Sequence, residues 1–385
     1  MYIKKNKNIY VYFYEIINRG LFMGTKQLVE RGFQDKSSDV DQELRTILES
    51  RKTQIKVVGA GGAGNNTVSR LMQVGIVGAE TVAVNTDAQD LLYTDSDKKV
   101  LIGKELTSGL GAGANPNVGM EAAKENKDDI KKALQGADMV FLTAGLGGGT
   151  GTGSLPVIAD VAKKIGALTI AIVTLPFAME GKQRMANARD GLENLEKVVD
   201  TLIVIPNDKL LEIVPDVSLE TAFKVCDEIL VNSVKGIAEL VTKPGLVNLD
   251  FADVRTVMSE GGLAMIGMGE SDTENRATEA VEKALNNPLI SVDVEGATGA
   301  LINVIGGPDI TIREAQQIVE NVSTKLSPDA KIIWGAQISK ELGETIRAML
   351  IITGVKSPQI FGPKKLWSKE TRGDISEELG VDFVS

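Results

Sequence analysis

Two glycine loops carry the clearest chemical signal in the chain. Residues 59–64 read GAGGAG, and residues 145–153 read GLGGGTGTG, with six glycines in nine positions. Glycine costs conformational entropy and packs nothing, so bare backbone at this density serves more than a turn. Each loop follows an apolar run of strand length and precedes a helical pattern. Successive backbone N–H groups in that setting form an anion cradle, strengthened by the helix dipole. Two such loops at the carboxyl edge of one parallel sheet predict a polyphosphate ligand.

GAGGAG alone fits the dinucleotide fingerprint G-x-G-x-x-G, but that site also needs an acid ending the second strand. Here that strand ends at Asn85 and Asp87 comes late. A nicotinamide-dependent oxidoreductase is therefore the second reading. The P-loop pattern G-x-x-x-x-G-K-[ST] is missing: Gly103-Lys104 precedes Glu105, and Gly181-Lys182 precedes Gln183. Asn126-Lys127-Asp128-Asp129 spells the guanine code of P-loop GTPases without that loop to serve, and reads as a solvated helix face.

Composition removes other chemistries. The chain has 385 residues and no histidine, which excludes Ser-His-Asp and Cys-His catalysis and histidine metal sites. Its single cysteine, Cys226, sits among apolar residues and reads as a buried structural thiol. A net charge of −10 argues against a nucleic-acid partner. The longest hydrophobic-looking stretch, ALTIAIVTLPFAM (167–179), has 13 residues, short of the ~20 that a membrane span needs. A cytoplasmic protein without a membrane span is expected.

The elements that must position the loops follow an alternating pattern. IKVV (55–58), TVAVN (81–85), MVFLT (139–143), LTIAIVTL (168–175) and TLIVI (201–205) are apolar throughout or nearly so. Helical patterns at 119–135, 154–165 and 181–199 separate the later ones. Such runs predict an α/β fold with a doubly wound parallel sheet. One long helix is expected over 219–243, with Phe223, Cys226, Ile229 or Leu230, Val234, Ile237 and Val241 on its apolar face. Beyond it, LAMIGMG, ALINVIGG, KIIWGAQI and AMLIITGV alternate with helices at 273–287 and 311–326, a smaller α+β domain. The expected division is 1–52 extension and edge helix, 53–218 nucleotide-binding domain, 219–243 central helix, 244–355 second domain and 356–385 flexible tail. The first 20 residues imitate a signal peptide, but Glu15 interrupts the apolar run and no cleavage site follows. An upstream extension, with Met23 as an alternative start, is the simpler reading.

The intact GGGTGTG at 147–153, with GAGGAGNN (59–66), NTDAQ (85–89), GLGAGANP (109–116), TLPF.MEG..R (174–184) and NLDFADV (248–254), resembles FtsZ, the prokaryotic cell-division GTPase family of the tubulin superfamily. The resemblance covers about residues 53–355 in order. It implies that GTP or GDP binds through Gly62, Ala63, Gly64, Asn65 and Asn66 of the first loop and Gly149, Thr150 and Gly151 of the second. Gly111, Ala112 and Gly113 would sense the γ-phosphate, and Glu180 and Arg184 would contact ribose and phosphate. Phe223 would stack on guanine and Asp227 bind it, with Asn85 and Asn207 as further contacts.

In FtsZ-like proteins the NLDFADV segment enters the nucleotide pocket of the next subunit, which would make Asn248, Asp250 and Asp253 catalytic. From the residues alone, Asp250 is a good helix N-cap and Asp253 a favourable first-turn acid. The family mechanism suits a chain without histidine, because phosphoryl transfer needs positioning and charge neutralisation more than a base. Mg²⁺ on the phosphates is expected, with no metal ligand assigned to the protein. The implied function is a self-assembling GTPase of the mid-cell division ring, a head-to-tail homopolymer. A nucleotide-binding scaffold without hydrolysis is the third reading, disfavoured by the intact acids. Ile375, Leu379 and Phe383 form the stripe of a short terminal helix, for which the resemblance implies docking on a membrane-anchoring adaptor of the SepF type.

Overall fold

The computed structural model describes residues 53–209, 218–243, 245–247, 249–259, 261–286, 294 and 296–355. The segments expected as an N-terminal extension and a docking tail, and Asn248, lie outside the described residues. Ten strands form one sheet in the order β3-β2-β1-β4-β5-β6-β7-β10-β8-β9. They are β1 Ile55–Ala60, β2 Ala79–Asn85, β3 Lys98–Leu101, β4 Met139–Gly145, β5 Leu168–Leu175, β6 Thr201–Pro206, β7 Gly262–Ser271, β8 Gly299–Gly306, β9 Lys331–Ile338 and β10 Ile346–Thr353. The first six are parallel, and β7 extends them through a short parallel register, Thr201–Ile203 against Gly262–Ala264. β10 runs antiparallel to both β7 and β8, while β8 and β9 are parallel.

The central strands are apolar because both faces are covered. Every residue of β1 and β5 is buried. Successive side chains go to opposite cores: Val58 and Leu142 join one, Val57 and Phe141 the other. Helix α1, Gly61–Val74, follows β1. The short α2, Ala88–Tyr93, and α3, Lys104–Thr107, follow β2 and β3. β3 is a strand that the sequence reading lacks; its four residues, KKVL, begin with two exposed lysines and leave no apolar run to recognise.

The single helix expected over 119–135 is two, α4 Pro116–Glu125 and α5 Lys127–Leu134, joined at Asn126. Asn126 is the joint: its Oδ1 accepts from the Gly103 N–H at 2.8 Å and its Nδ2 donates to Asp129 at 3.0 Å. The N-K-x-D sequence is thus no plain solvated face, since its asparagine holds a turn together. Helices α6 Thr150–Lys164 and α7 Lys182–Glu196 complete the first half.

The long helix α8 spans Leu219–Thr242, about 36 Å at 1.5 Å per residue. The Ser218 hydroxyl caps it by accepting from the Thr221 N–H. Leu230, Val234 and Ile237 are buried against the sheet, and Cys226 is buried near its start. Phe223 departs from the expected apolar face: it is 42% exposed. Helices α9 Phe251–Met258, α10 Arg276–Leu285 and α11 Ile312–Ser323 belong to the second half.

Candidate functional site

At the carboxyl edge of the parallel strands lies a cavity of about 520 Å³. Its floor is made by two helix starts. Glycine lets β1 turn straight into α1: a Cβ on Gly59 would stand 2.2 Å from the Gly64 carbonyl, and one on Gly64 would stand 2.5 Å from that of Thr143. Helices α1 and α6 both begin without a side-chain cap and without an acid in the first turn. Among the described residues no side chain caps their first N–H groups, which leaves those donors for a ligand, and Gly61, Gly62 and Ala63 meet Gly149, Thr150 and Gly151 on the cavity wall. The two loops touch: a Cβ on Gly61 would lie 2.9 Å from the Gly151 nitrogen. Two helix N-termini with free donors facing one space define an anion site.

The expected residues divide by position. Gly62, Ala63, Asn85, Gly111, Ala112, Gly113, Gly149, Thr150, Gly151, Glu180, Arg184, Asn207, Phe223 and Asp227 all line the cavity. Gly64, Asn65 and Asn66 do not. Gly64 is spent on strand–helix packing, and the buried Asn65 donates to Asp90 at 3.2 Å. Asn66 is exposed on α1. Asp87 and Asp90, which carried no expected ligand role, line the cavity too. Asp87 is committed to capping α2, accepting from the N–H groups of Gln89 and Asp90. Asp90 takes Asn85 Nδ2 at 2.6 Å.

The far end of the cavity is aromatic and half-buried. Phe223 meets Phe177 edge to face, centroids 5.3 Å apart. Asp227 follows one turn later on α8, and burial pushes its carboxyl up to about 6, opposed by the nearby Arg70 cation. Arg70 itself pairs with Glu228 at 3.1 Å. Cys226 is 4% exposed, and burial, then the Asp227 charge, pushes its thiol up to about 12. That suits the structural thiol expected from the sequence. Asn207 is buried with its Oδ1 unpartnered among the described residues, an acceptor suited to a ligand donor. Arg184 Nε donates to Glu180 at 3.0 Å, tying the 3-10 turn Ala178–Glu180 to the first turn of α7.

Asp250 and Asp253 are elsewhere. They form a reciprocal capping box on α9: the Asp253 N–H donates to Asp250 Oδ1 at 2.8 Å, and the Asp250 N–H to Asp253 Oδ2 at 3.3 Å. One turn later, Arg255 donates to the Gly166 carbonyl at 2.7 Å, just before β5 begins. The cavity lies beyond the other end of β5, at Thr174 and Pro176. At ~3.3 Å per residue this is a separation of about 25 Å. Within one chain the acids and the cavity occupy opposite edges of the sheet. Among the described residues, no group of three or more acidic or sulfur side chains is placed to hold a metal ion.

A parallel sheet, uncapped helix starts and a polar–aromatic cavity define a nucleotide-binding α/β protein. The GTPase-domain model of the Tubulin/FtsZ family matches residues 54–215, and the C-terminal-domain model of the FtsZ family matches 262–356. The chain is 62% identical over 320 residues to cell division protein FtsZ 1 of Methanocaldococcus jannaschii, covering 83% of this chain and 88% of that protein. It is 56% identical over 360 residues to cell division protein FtsZ 1 of Archaeoglobus fulgidus, covering 93% and 95%. The solved structure of an empty FtsZ dimer from M. jannaschii superposes with a TM-score of 0.78 at 62% identity, covering 82% of this chain and 92% of that one. The chain belongs to the FtsZ family of cell-division GTPases, within the tubulin superfamily.

Proposed function

We propose that this GTPase assembles head to tail and hydrolyses GTP between subunits, forming the filaments of a mid-cell division ring. The observation that carries this reading is the separation of cavity and acids to opposite edges of one sheet. A nucleotide in the cavity is out of reach of its own Asp250 and Asp253, but stacking a second copy end to end brings them together. Such a contact joins unlike surfaces and does not close, so it propagates. The M. jannaschii relative was solved as a dimer, which supports self-association.

In this reading guanine lies against Phe223 with its N1–H and amino group on Asp227, and Asn207, Glu180 and Arg184 hold the sugar side. The phosphates lie on the N–H groups of Gly61–Ala63 and Gly149–Gly151, with Gly111–Gly113 at the terminal phosphate. Asp250 and Asp253 of the next copy orient the attacking water, beside Asn248. Mg²⁺, a hard cation, would be held chiefly by phosphate oxygens; on the protein side the cavity offers the Asp87, Asp90 and Glu180 carboxylates and the Thr150 hydroxyl as oxygens of matching chemistry, with one Asp87 oxygen already capping α2. When bound, it neutralises phosphate charge. Residues 53–218 then hold nucleotide, 219–243 join it to 244–355, and 356–385 tether the filament to a membrane-anchored adaptor of the SepF type.

The test is turnover per molecule against protein concentration, with sedimentation in parallel. Turnover should rise above a threshold. Asp250→Ala or Asp253→Ala should keep GTP binding and lose most turnover, and mixing either with Thr150→Ala should restore part of it. Concentration-independent turnover by a strictly monomeric sample would refute the shared site.

A further inference from the structure

Helix α7 carries a residue with no assigned role that touches two phosphate-facing loops at once. Asn187 lies three positions after Arg184, one turn along the same helix. Its Nδ2 donates to the Ala114 carbonyl at 3.0 Å and to the Gly147 carbonyl at 3.4 Å. Its Oδ1 accepts from Gln183 Nε2 at 3.1 Å. All three functions of the carboxamide are used, which fixes its orientation.

The two loops need such a tie. Beyond its neighbours in sequence, the 109–115 loop has three hydrogen bonds among the described residues. Two are on one side, from Ala88 N–H to the Gly109 carbonyl and from Gly111 N–H to the Thr86 carbonyl. The third is the bond from Asn187, at the opposite end of the loop. On the other loop, Gly147 has a φ of +104°, and a Cβ there would lie 2.8 Å from the Arg184 carbonyl. Only glycine lets α7 come this close, and closeness is what brings Asn187 within reach. A Cβ on Gly149 would lie 2.3 Å from the Gly113 carbonyl, so the joined loops lie in direct contact.

The cavity also has a direction. Phe223 and Asp227 sit on α8, whereas Gly111–Gly113 follow β3 at the far edge of the sheet. A nucleotide with its base on α8 reaches Gly111–Gly113 only with its last phosphate. From this geometry we infer that Asn187 is a positioning residue for the terminal phosphate, holding the 109–115 loop against the GGGTGTG loop so that its N–H groups are set before GTP arrives. This rests on the reading of the cavity as a guanine-nucleotide site. Without the bond, ordering the loop falls to the γ-phosphate, and GDP, which does not reach it, is spared.

The experiment measures the affinity of full-length protein for fluorescent GDP and for a fluorescent non-hydrolysable GTP analogue, below the assembly threshold. Asn187→Leu keeps the branched shape and the number of heavy atoms and removes both donors. It should weaken the GTP analogue about threefold to tenfold, the worth of one or two ordinary hydrogen bonds, and leave GDP within twofold. Asn187→Gln, which restores a donor, should recover part of the difference. Equal losses for both nucleotides, or no loss for either, would overturn the role. If Asn187→Leu fails to fold, judged by its melting curve, Asn187→Ser is measured by the same criteria. Failure of the parent protein to bind either nucleotide would refute the cavity assignment instead.

Discussion

Asp227 offers a test whose size follows from its surroundings. Burial raises its carboxyl from 3.8 to about 6, against the opposing pull of Arg70. Because the folded value lies above the unfolded one, the stability associated with this group is complete below pH 3.8 and lost as pH rises through 6. At pH 7 the nucleotide-free protein carries a half-buried carboxylate at a cost of roughly 1–2 kcal/mol, once solvent screening at the partly exposed group is allowed for. Guanine offsets that cost by presenting two donors to the anion. Asp227→Asn should therefore melt higher than the parent without nucleotide at pH 7, with most of the gain gone at pH 4. The same substitution should weaken GDP at pH 7 by about tenfold to a hundredfold, the loss of a charge-assisted hydrogen bond worth ~1.5–3 kcal/mol. Lowering the pH to 5 protonates about nine in ten of the parent's carboxyls, so the ratio of the two dissociation constants should fall about tenfold. Titration of the nucleotide phosphates affects both proteins and cancels in that ratio. ATP should bind more weakly than GTP, because adenine lacks the N1–H. The readout is calorimetric or fluorescence titration at pH 5, 6 and 7. A ratio constant across that range, or equal affinity for ATP and GTP, would refute the placement of guanine on Asp227.

Phe223→Ala should weaken guanine nucleotides by about 1–3 kcal/mol, the usual worth of a base–aromatic stack, while moving the melting temperature little, because the ring is 42% exposed; unchanged binding would place the base elsewhere. Deleting residues 374–385 should leave GTPase activity and filaments in solution intact and abolish recruitment to adaptor-coated membranes. Normal recruitment of the truncated protein would dismiss the docking role.

How much of this was legible in the sequence depends on whether a residue's partner was local. The glycine loops were legible because strand, loop and helix are consecutive, and the helix starts they imply are where the cavity lies. Of the first six strands, all but β3 announced themselves as apolar runs, since burial on both faces leaves little alternation; β3, at the sheet edge with two exposed lysines, did not. Phe223 was misplaced by periodicity alone: the helical spacing assigned it to the core, whereas it lines the cavity and rests edge to face on the buried Phe177, 46 positions earlier. Asp250 gave two valid readings, and the structure displays the local one, a capping box that any helix start could use. Its chemical reading depends on a second copy, which no single chain contains. Asn187 gave no signal, because its value lies in two carbonyls 40 and 73 positions away. The only hint was indirect: a glycine loop at 147 leaves room for something to approach, and the helix that does so already carries Arg184. Spacing within one element finds caps, faces and loops; a bond that ties loops together appears only when the chain has folded.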